Sequence, residues 1–409
     1  MKPISSILGL ALLFTIFSCD KNNMELVTIA SPEIMSKSDF RKAVEIKSAQ
    51  SIEESGKIYA YNDYIFVGDK NKGLHIIDNT NPKSPQPITF IKIPGNEDIS
   101  VKNDFLYADS ATDLIVFDIS DINNIQLVER LEDVFDVYDY QIPLEADRVE
   151  WSNFNYETDI VTGWTLKNEY REKLDDRMVD VAFDASTASA ENNIGVGGSL
   201  ARFQIVDDFL YTVGQYSMSI FDIQNLSQPV LENTQYAGWN IETMFAAGDY
   251  LYLGSTNGMY IYDIKTPSTP EYVSEFTHWE GCDPVVVDGD YAYLTLRGGN
   301  LCGQLESVLE VIDIKDKANP VLAKRYTLEN PYGLGIKSNM LFVCDGTAGL
   351  KIFDRKTPVN LEMVKAFENI DATDVIPLEK SLIMIGGNVL YQYEYLVNDI
   401  NLISTYSLN

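Results

Sequence analysis

The chain has 409 residues, with 61 acidic against 31 basic side chains and a formal net charge of −30 at pH 7. Nucleic acids and anionic lipid surfaces are bound through basic patches, so this charge balance argues against both as partners. The length exceeds the roughly 250–300 residues that one ordinary hydrophobic core supports, which favours a modular architecture.

The chain opens with a short secretory signal, predicted to cover residues 1–18. Met1 and Lys2 precede an apolar run over residues 7–17 that is too short to span a membrane. The run ends in Ile16-Phe17-Ser18-Cys19, which resembles a bacterial lipobox and predicts that Cys19 is diacylated. The alternative is an ordinary cleaved signal followed by a chance cysteine.

Several acyl chains hold a protein at a membrane where one chain binds only marginally. We therefore expect a lipid-anchored protein of the bacterial cell envelope, at the outer membrane and either periplasmic or exposed on the cell surface. Residues 19–42 are polar and show no strand rhythm, so they are predicted to be the lipidated N-terminus and a flexible tether.

A repeat begins after this tether. Six five-residue strands of one design end in Asp, and neighbouring copies mostly lie about 40 residues apart. They are residues 74–78, 114–118, 218–222, 259–263, 309–313 and 350–354. Four short strands in each period are typical of a β-propeller blade. The sequence thus predicts an all-β propeller of four-stranded blades over residues 43–409.

Two further stretches keep the strand rhythm without the Asp-terminated motif. They cover residues 136–166 and 374–407, and they share the sequence Ile-Pro-Leu-Glu at 142–145 and 376–379. If both are blades the total is eight, which is the predicted count. Seven is the alternative, if the first stretch does not close a sheet.

The recurring Leu/Met-x-Ile/Val-x-Asp run, with Asn-Pro or Thr-Pro behind it, resembles the LVIVD-repeat family of bacterial surface proteins. The resemblance covers roughly residues 58–409. It implies a β-propeller on exported, often lipid-anchored proteins without an established activity. It supplies no catalytic residue.

Residues at the same position in every repeat are predicted to be structural. The six motif aspartates precede turns rich in Asn, Thr and Ser, so we expect Asx turns rather than calcium ladders. His75 occupies a repeat position that differs between blades, and we expect it on the solvent side of its strand. Cys344 takes the place of a glycine in other blades and is expected to be a small buried residue.

An insertion at residues 167–199 breaks the repeat. It begins with alternating charges over residues 168–177 and ends in Gly195-Val196-Gly197-Gly198. A loop of this length is either functional or disordered, and its glycine end is expected to be mobile.

Cys282 and Cys302 fall in two loops of one blade that propeller topology brings to the same face. An exported protein permits a disulfide, so we predict a Cys282–Cys302 bridge. Two free or metal-binding thiols are the alternative.

The residues entering the first strand of each blade are expected to line the mouth of the central channel. Glu97, Asp98, Arg202, Glu242, Asp283, Tyr332 and Asp374 are at such positions, and Trp239, His278, Trp279 and Arg297 are expected around them. These residues are the candidate ligand-binding set, suited to a glycan or a peptide. The alternative is that they pair with one another and with channel water.

The sequence predicts a non-catalytic binding or scaffold protein without cofactor or metal, whose partners are the membrane, through the N-terminal lipid, and a polysaccharide or protein ligand. The alternative function is an exported propeller hydrolase. It would use a divalent metal and channel-mouth carboxylates, with Glu97 and Asp98 opposite Glu242 and Asp283, because paired carboxylates can divide acid and base roles.

Overall fold

Short antiparallel strands follow one another along most of the chain. The structure, a computed structural model, describes residues 24–135, 142–143, 145–151, 153–172, 195–277, 284–298, 306–397 and 399–408. Cys19, Cys282 and Cys302, and with them the predicted lipidation and disulfide, lie outside the described residues, as do His278, Trp279 and Asp283.

Seven sheets in the described residues contain four consecutive strands in antiparallel order, which is the order of a propeller blade. The first elements are strand β1 (Met24–Ser36), helix α1 (Lys37–Lys42) and strand β2 (Glu45–Ser48). Blade 1 follows, with β3 (Ser55–Tyr61), β4 (Tyr64–Asp69), β5 (Gly73–Asp78) and β6 (Gln86–Lys92). Blade 2 consists of β7 (Ile99–Lys102), β8 (Phe105–Ser110), β9 (Asp113–Asp118) and β10 (Gln126–Leu131).

Three strands outside the blades come next, β11 (Arg148–Val149), β12 (Asp159–Glu172) and β13 (Val196–Gly197). Blade 3 has β14 (Phe203–Val206), β15 (Phe209–Val213), β16 (Ser217–Asp222) and β17 (Val230–Tyr236). Blade 4 has β18 (Ile241–Ala247), β19 (Tyr250–Ser255), β20 (Gly258–Asp263) and β21 (Glu271–Thr277).

Blade 5 has β22 (Val285–Asp288), β23 (Tyr291–Leu296), β24 (Val308–Asp313) and β25 (Val321–Thr327). Blade 6 has β26 (Leu334–Lys337), β27 (Met340–Cys344), β28 (Leu350–Asp354) and β29 (Glu362–Phe367). Blade 7 has β30 (Asp374–Pro377), β31 (Ser381–Gly386), β32 (Val389–Leu396) and β33 (Asp399–Ser407).

The blades form a closed propeller because each packs its faces on two neighbours. Seven hydrophobic clusters of described residues each draw side chains from two adjacent blades. The cluster that joins the first and last blades contains Ile58 and Leu390, and the Ile52 amide donates to the Leu408 carbonyl at 2.8 Å beside it. The predicted all-β propeller is confirmed.

The stretch predicted as an additional blade has a different structure. Strands β11 and β12 pair with β1 in a three-stranded sheet of order β11-β1-β12. Residues 136–141 of the predicted blade lie outside the described part, which holds seven blades, the alternative count. Sequence reasoning paired the predicted strands 148–154 and 159–166 within a blade, but strands at these positions pair with β1 instead. Strand β1 was missed because its residues, including the buried Val27 and Ile29, were interpreted as tether.

The same observation corrects the tether itself. Residues 24–36 form a strand and residues 37–42 a helix, whose N-cap Ser36 accepts a hydrogen bond from the Asp39 amide. Strand β2 then pairs with the outer strand β6, so blade 1 carries an additional edge strand.

The chain divides into two compact units, residues 1–35 with 140–180 and residues 36–139 with 181–409. The described part of the first unit contains the three-stranded sheet, and the second contains the propeller.

The motif aspartates have the predicted structural role. In all six, Oδ1 accepts a hydrogen bond from the backbone amide two residues further on, at 2.7–3.0 Å. These Asx turns end the third strand of their blades. In every blade the pairing of the third and fourth strands then shifts at a β-bulge. The bulge twists the fourth strand, which is the exposed edge in blades 2 to 7.

Two other repeat positions can be compared with their predictions. Cys344 is fully buried, as expected. The prediction for His75 is wrong, because this side chain is 3% exposed and its ring lies 4.4 Å from that of Phe90. Both faces of a propeller blade are covered by neighbours, so a variable position on the third strand is not a solvent position.

Candidate functional site

The first strands of the blades converge on a cavity of about 870 Å³. Its lining includes Glu97, Arg202, Glu242, Tyr332 and Asp374, each from a different blade or from the segment leading into it. The innermost strand of each blade starts at this end, so its first residues meet at the centre. The structure thus brings together five of the predicted site residues. The lining also contains Lys57, Lys70, Leu200 and Asp371.

Arg202 is the central cation of this cavity. Its guanidinium forms an ion pair with Glu97, and its backbone amide donates to Asp98. Burial lowers the pKa of Arg202 to about 10, and the charge of Glu242 opposes this change. The predicted alternative, mutual pairing of the charged residues, is therefore realised for Arg202 and Glu97.

Asp98 lies under the cavity wall, 5% exposed, and not in the lining. Its Oδ2 accepts from Lys57 Nζ at 3.1 Å and from the Phe203 amide at 3.2 Å, and its Oδ1 from the Ile99 amide at 2.8 Å. Burial lowers the pKa of Lys57 to about 8, and Asp98 opposes this change. In this geometry Asp98 holds the first strands of blades 1, 2 and 3 together rather than facing a ligand.

Two carboxyl groups near this cluster, one half-buried and one buried, have pKa values raised to about 7, mainly by loss of water around them. One is Asp109, whose Oδ1 accepts from Asn96 Nδ2 at 2.7 Å and from the Glu97 amide at 2.9 Å. The other is Asp374, whose Oδ1 accepts from the Val375 amide at 2.9 Å. The Ser199 amide opposes the rise for Asp374, yet Oδ2 has no partner with hydrogen-bond geometry among the described residues.

The end of the insertion crosses the centre of the propeller. We call residues 195–202 the central strap. Its strand β13 pairs with the innermost strand of blade 1, Val196 with Ala60 and Gly197 with Tyr59. The Gly195 amide donates to the Val101 carbonyl of blade 2 at 3.0 Å. The prediction of a mobile glycine end is wrong for these residues, because their backbone groups are paired with the blades.

The strap reaches further blades through its second half. Ser199 Oγ accepts from the Leu334 amide of blade 6 at 2.8 Å, and the Ala201 carbonyl accepts from the Met244 amide of blade 4 at 3.3 Å. Glycine is required here, since a Cβ on Gly198 would overlap the Asp374 carboxylate and one on Gly195 would overlap the Tyr59 ring. Leu200 and Arg202 of the strap line the cavity, so the strap forms part of its floor.

The remaining described candidates, Arg297 and Trp239, are not among the lining residues. Arg297 stacks over the Tyr332 ring, with its guanidinium carbon 4.1 Å from the ring centre. Trp239 is 46% exposed and packs on Tyr216 at 5.2 Å, and it is not in the lining.

Sequence reasoning missed Asp109 and the strap as parts of the site. Asp109 is the second-last residue of β8 and carries no distinguishing motif. The sequence signal for the strap was its run of small residues, three glycines and a serine between Gly195 and Ser199. Small residues allow a segment to lie close to the backbone of the surrounding strands at the centre of the propeller. In the described part of the chain, no group of three or more His, Cys, Asp or Glu could hold a metal ion. No described helix has the length and hydropathy to cross a membrane.

Comparison with known families identifies the repeat. The LVIVD repeat family matches four stretches, residues 54–88, 96–133, 243–277 and 282–328. These four stretches are LVIVD repeats. These stretches cover most of blades 1, 2, 4 and 5, so the strands that define the family are the strands that build the blades. No curated protein matches the chain.

Solved structures resemble this chain in fold alone. A protein from Lactobacillus plantarum has a TM-score of 0.51 at 11% sequence identity, over 76% of this chain and 85% of that one. Sqt1 of Saccharomyces cerevisiae has a TM-score of 0.51 at 10% identity, over 88% of this chain and 86% of that one. At these identities the likeness supports the propeller fold and carries no function.

Proposed function

We propose that this protein is a non-catalytic binding protein of the bacterial cell envelope that takes its ligand into the cavity at the channel mouth. The observation that carries the proposal is the 870 Å³ cavity lined by charged residues from several blades. Its volume is within the range of small-molecule and side-chain pockets. The lining residues differ between blades that are otherwise alike, which is expected of a site rather than of a repeat.

A peptide with a basic group fits the lining better than a glycan does. The carboxylates of Glu97, Glu242, Asp371 and Asp374 outnumber the cations in the lining, and buried Asp98 holds Lys57. Glycan sites use open aromatic faces for stacking. Among the described lining residues Tyr332 supplies the aromatic ring, and Arg297 covers one of its faces.

The test is binding of the mature chain to peptide and glycan arrays, followed by titration of the best ligand. Replacing Glu242 with Gln should weaken a basic peptide at least about fivefold, since one cavity charge is lost. Asp118→Asn, which alters an Asx turn, is the matched control and should leave affinity unchanged. Affinity that survives Glu242→Gln would show that the ligand binds elsewhere.

The envelope location rests on the signal and on Cys19. Lipidation there would hold the propeller at the outer membrane, facing the periplasm or the outside. Cys19→Ala should release the protein into a soluble fraction, whereas unchanged partitioning into detergent would contradict lipidation.

One observation favours the alternative, an exported hydrolase that uses channel-mouth carboxylates with a divalent metal. Asp374 lines the cavity with a pKa raised to about 7, which suits a general acid or base. Hydrolysis of a glycan or phosphoester, dependent on added metal and abolished by Asp374→Asn, would replace the binding proposal.

A further inference from the structure

The smaller unit carries an exposed apolar face on its three-stranded sheet. Thr28 Oγ1 of β1 donates to Asn168 Oδ1 of β12 at 3.0 Å, which places these two side chains on the same face. Side chains alternate along a strand, so Leu26 of β1 and Tyr170 of β12 share that face. Leu26 is 57% exposed and Tyr170 65% exposed.

The opposite face has a different chemistry. Thr165 Oγ1 donates to Glu33 Oε1 at 3.1 Å on that side, and Arg171 forms ion pairs with Glu150 and Glu169. Charges are thus concentrated on one face of the sheet and exposed apolar side chains on the other.

The apolar face continues into an aromatic cluster. Trp164 of β12 lies four residues before Asn168 and therefore on the same face of the sheet. Its ring packs edge-on against that of Trp151, with the ring centres 5.4 Å apart. Trp151 also contacts Phe154 at 5.5 Å and Tyr156 at 6.3 Å. Tyr156 is 65% exposed. Tryptophan and tyrosine beside exposed aliphatic side chains are the composition of surfaces that lie at a membrane–water interface.

The start of β1 limits how far this apolar face can lie from a lipid attached to Cys19. Met24, the first residue of β1, is 46% exposed and lies five residues after Cys19. An extended chain spans at most about 3.6 Å per residue, so a lipid on Cys19 holds Met24 within about 18 Å of its attachment point. A short tether keeps even a weakly binding surface at millimolar effective concentration beside the membrane.

We propose that the apolar face, formed by Met24, Leu26, Leu166, Tyr170 and the aromatic cluster, docks on the lipid interface of the membrane that carries the protein. The proposal rests on the lipid anchor at Cys19. Carboxylates outnumber cations in the described part of this unit, so the contact is apolar and does not require anionic lipid.

The test replaces the natural lipid, so it does not depend on lipidation of Cys19. Residues 20–409 with an N-terminal hexahistidine tag are captured on phosphatidylcholine vesicles through a nickel-chelating lipid. Trp239→Phe and Trp279→Phe leave Trp151 and Trp164 as the fluorescent tryptophans. Bromine atoms on the acyl chains should quench their emission, because the docked cluster lies at the interface.

Two sets of variants decide the outcome. Leu26→Glu with Tyr170→Glu should abolish quenching while the chain stays captured and keeps its melting temperature, since both positions are exposed. Tyr236→Glu with Tyr272→Glu, equally exposed positions on the propeller, should leave quenching intact. Absence of quenching in the parent chain would overturn the proposal. If the parent chain then forms dimers and the variant Leu26→Glu with Tyr170→Glu does not, the face binds a second copy of the chain instead.

Discussion

At Asp98 one carboxylate accepts four hydrogen bonds, from Lys57 Nζ and from the amides of Ile99, Arg202 and Phe203. Lys57 and Asp98 are both largely withdrawn from water, at 24% and 4% side-chain exposure. A buried ion pair of this kind is costly to break from one side, because the remaining charge keeps its desolvation cost.

Asp98→Asn should therefore destabilise the propeller by about 3 kcal/mol or more. Both oxygens of Asp98 accept from N–H groups, so the NH₂ group of the substituted asparagine would place a donor against donors. Lys57 would also lose its counter-charge. The urea midpoint reports the change. Glu45→Gln, in the exposed pair with Lys47, is the control and should alter stability by less than about 0.5 kcal/mol. Equal midpoints for the two variants would contradict the structural role of Asp98.

Asp374 predicts a pH dependence of stability. Its pKa is about 7 in the folded chain against an ordinary value of 3.8, so the folded state binds more protons between these values. The contribution of Asp374 to stability is present at low pH and is lost as the pH rises through 7. The urea midpoint should thus fall between pH 5 and pH 7.5.

Asp374→Asn should make this fall smaller, because the amide does not titrate. Asp118→Asn is the matched control, since its carboxyl has a lowered pKa and stays ionised over this range. Identical pH profiles for wild type and Asp374→Asn would show that Asp374 is not the titrating group.

Among the elements, the central strap connects most parts of the propeller. Gly198→Ala should cost about 1–3 kcal/mol, because the added methyl group overlaps the Asp374 carboxylate and forces the strap or the blade to move. Thermal unfolding measures the loss. Gly56→Ala is the control within the same cavity, since its Cβ would meet neighbours at ordinary distances from 3.5 Å. In an Asp374→Ala background, Gly198→Ala should cost less, and an unchanged cost would exclude this overlap as the cause.

The strap also shows what sequence reasoning could and could not predict. Glu97, Arg202, Glu242, Tyr332 and Asp374 were predicted to line one cavity, because repeats in phase place the starts of first strands at one end. The partners of Gly195 and Ser199 were beyond reach, since no pattern near them encodes contacts with Val101 or Leu334. The burial of His75 was missed as well, since the repeat pattern does not show that Phe90 and Asp69 lie against its ring.

For the whole molecule, the seven clusters between blades make the last blade part of the closure. Truncation after Asp371 removes the partner of Phe342 on one side and of Ile58 on the other, leaving two apolar faces uncovered. The truncated chain should aggregate, as size-exclusion chromatography would show. A stable monomer with the melting temperature of the intact chain would mean that the last four strands do not close the propeller.

Each blade is one uninterrupted run of four strands, and the first and last blades meet through side-chain packing and the hydrogen bond between Ile52 and Leu408. The packing between neighbours consequently fixes the cyclic order of the blades but not the blade at which the chain begins. A circular permutant that joins residue 408 to residue 52 through a short linker and opens the chain between blades 3 and 4 would lose β1, α1 and β2 but retain the packing between the blades. The same independence would let duplication in the gene add or renew whole blades without redesigning the strands inside them.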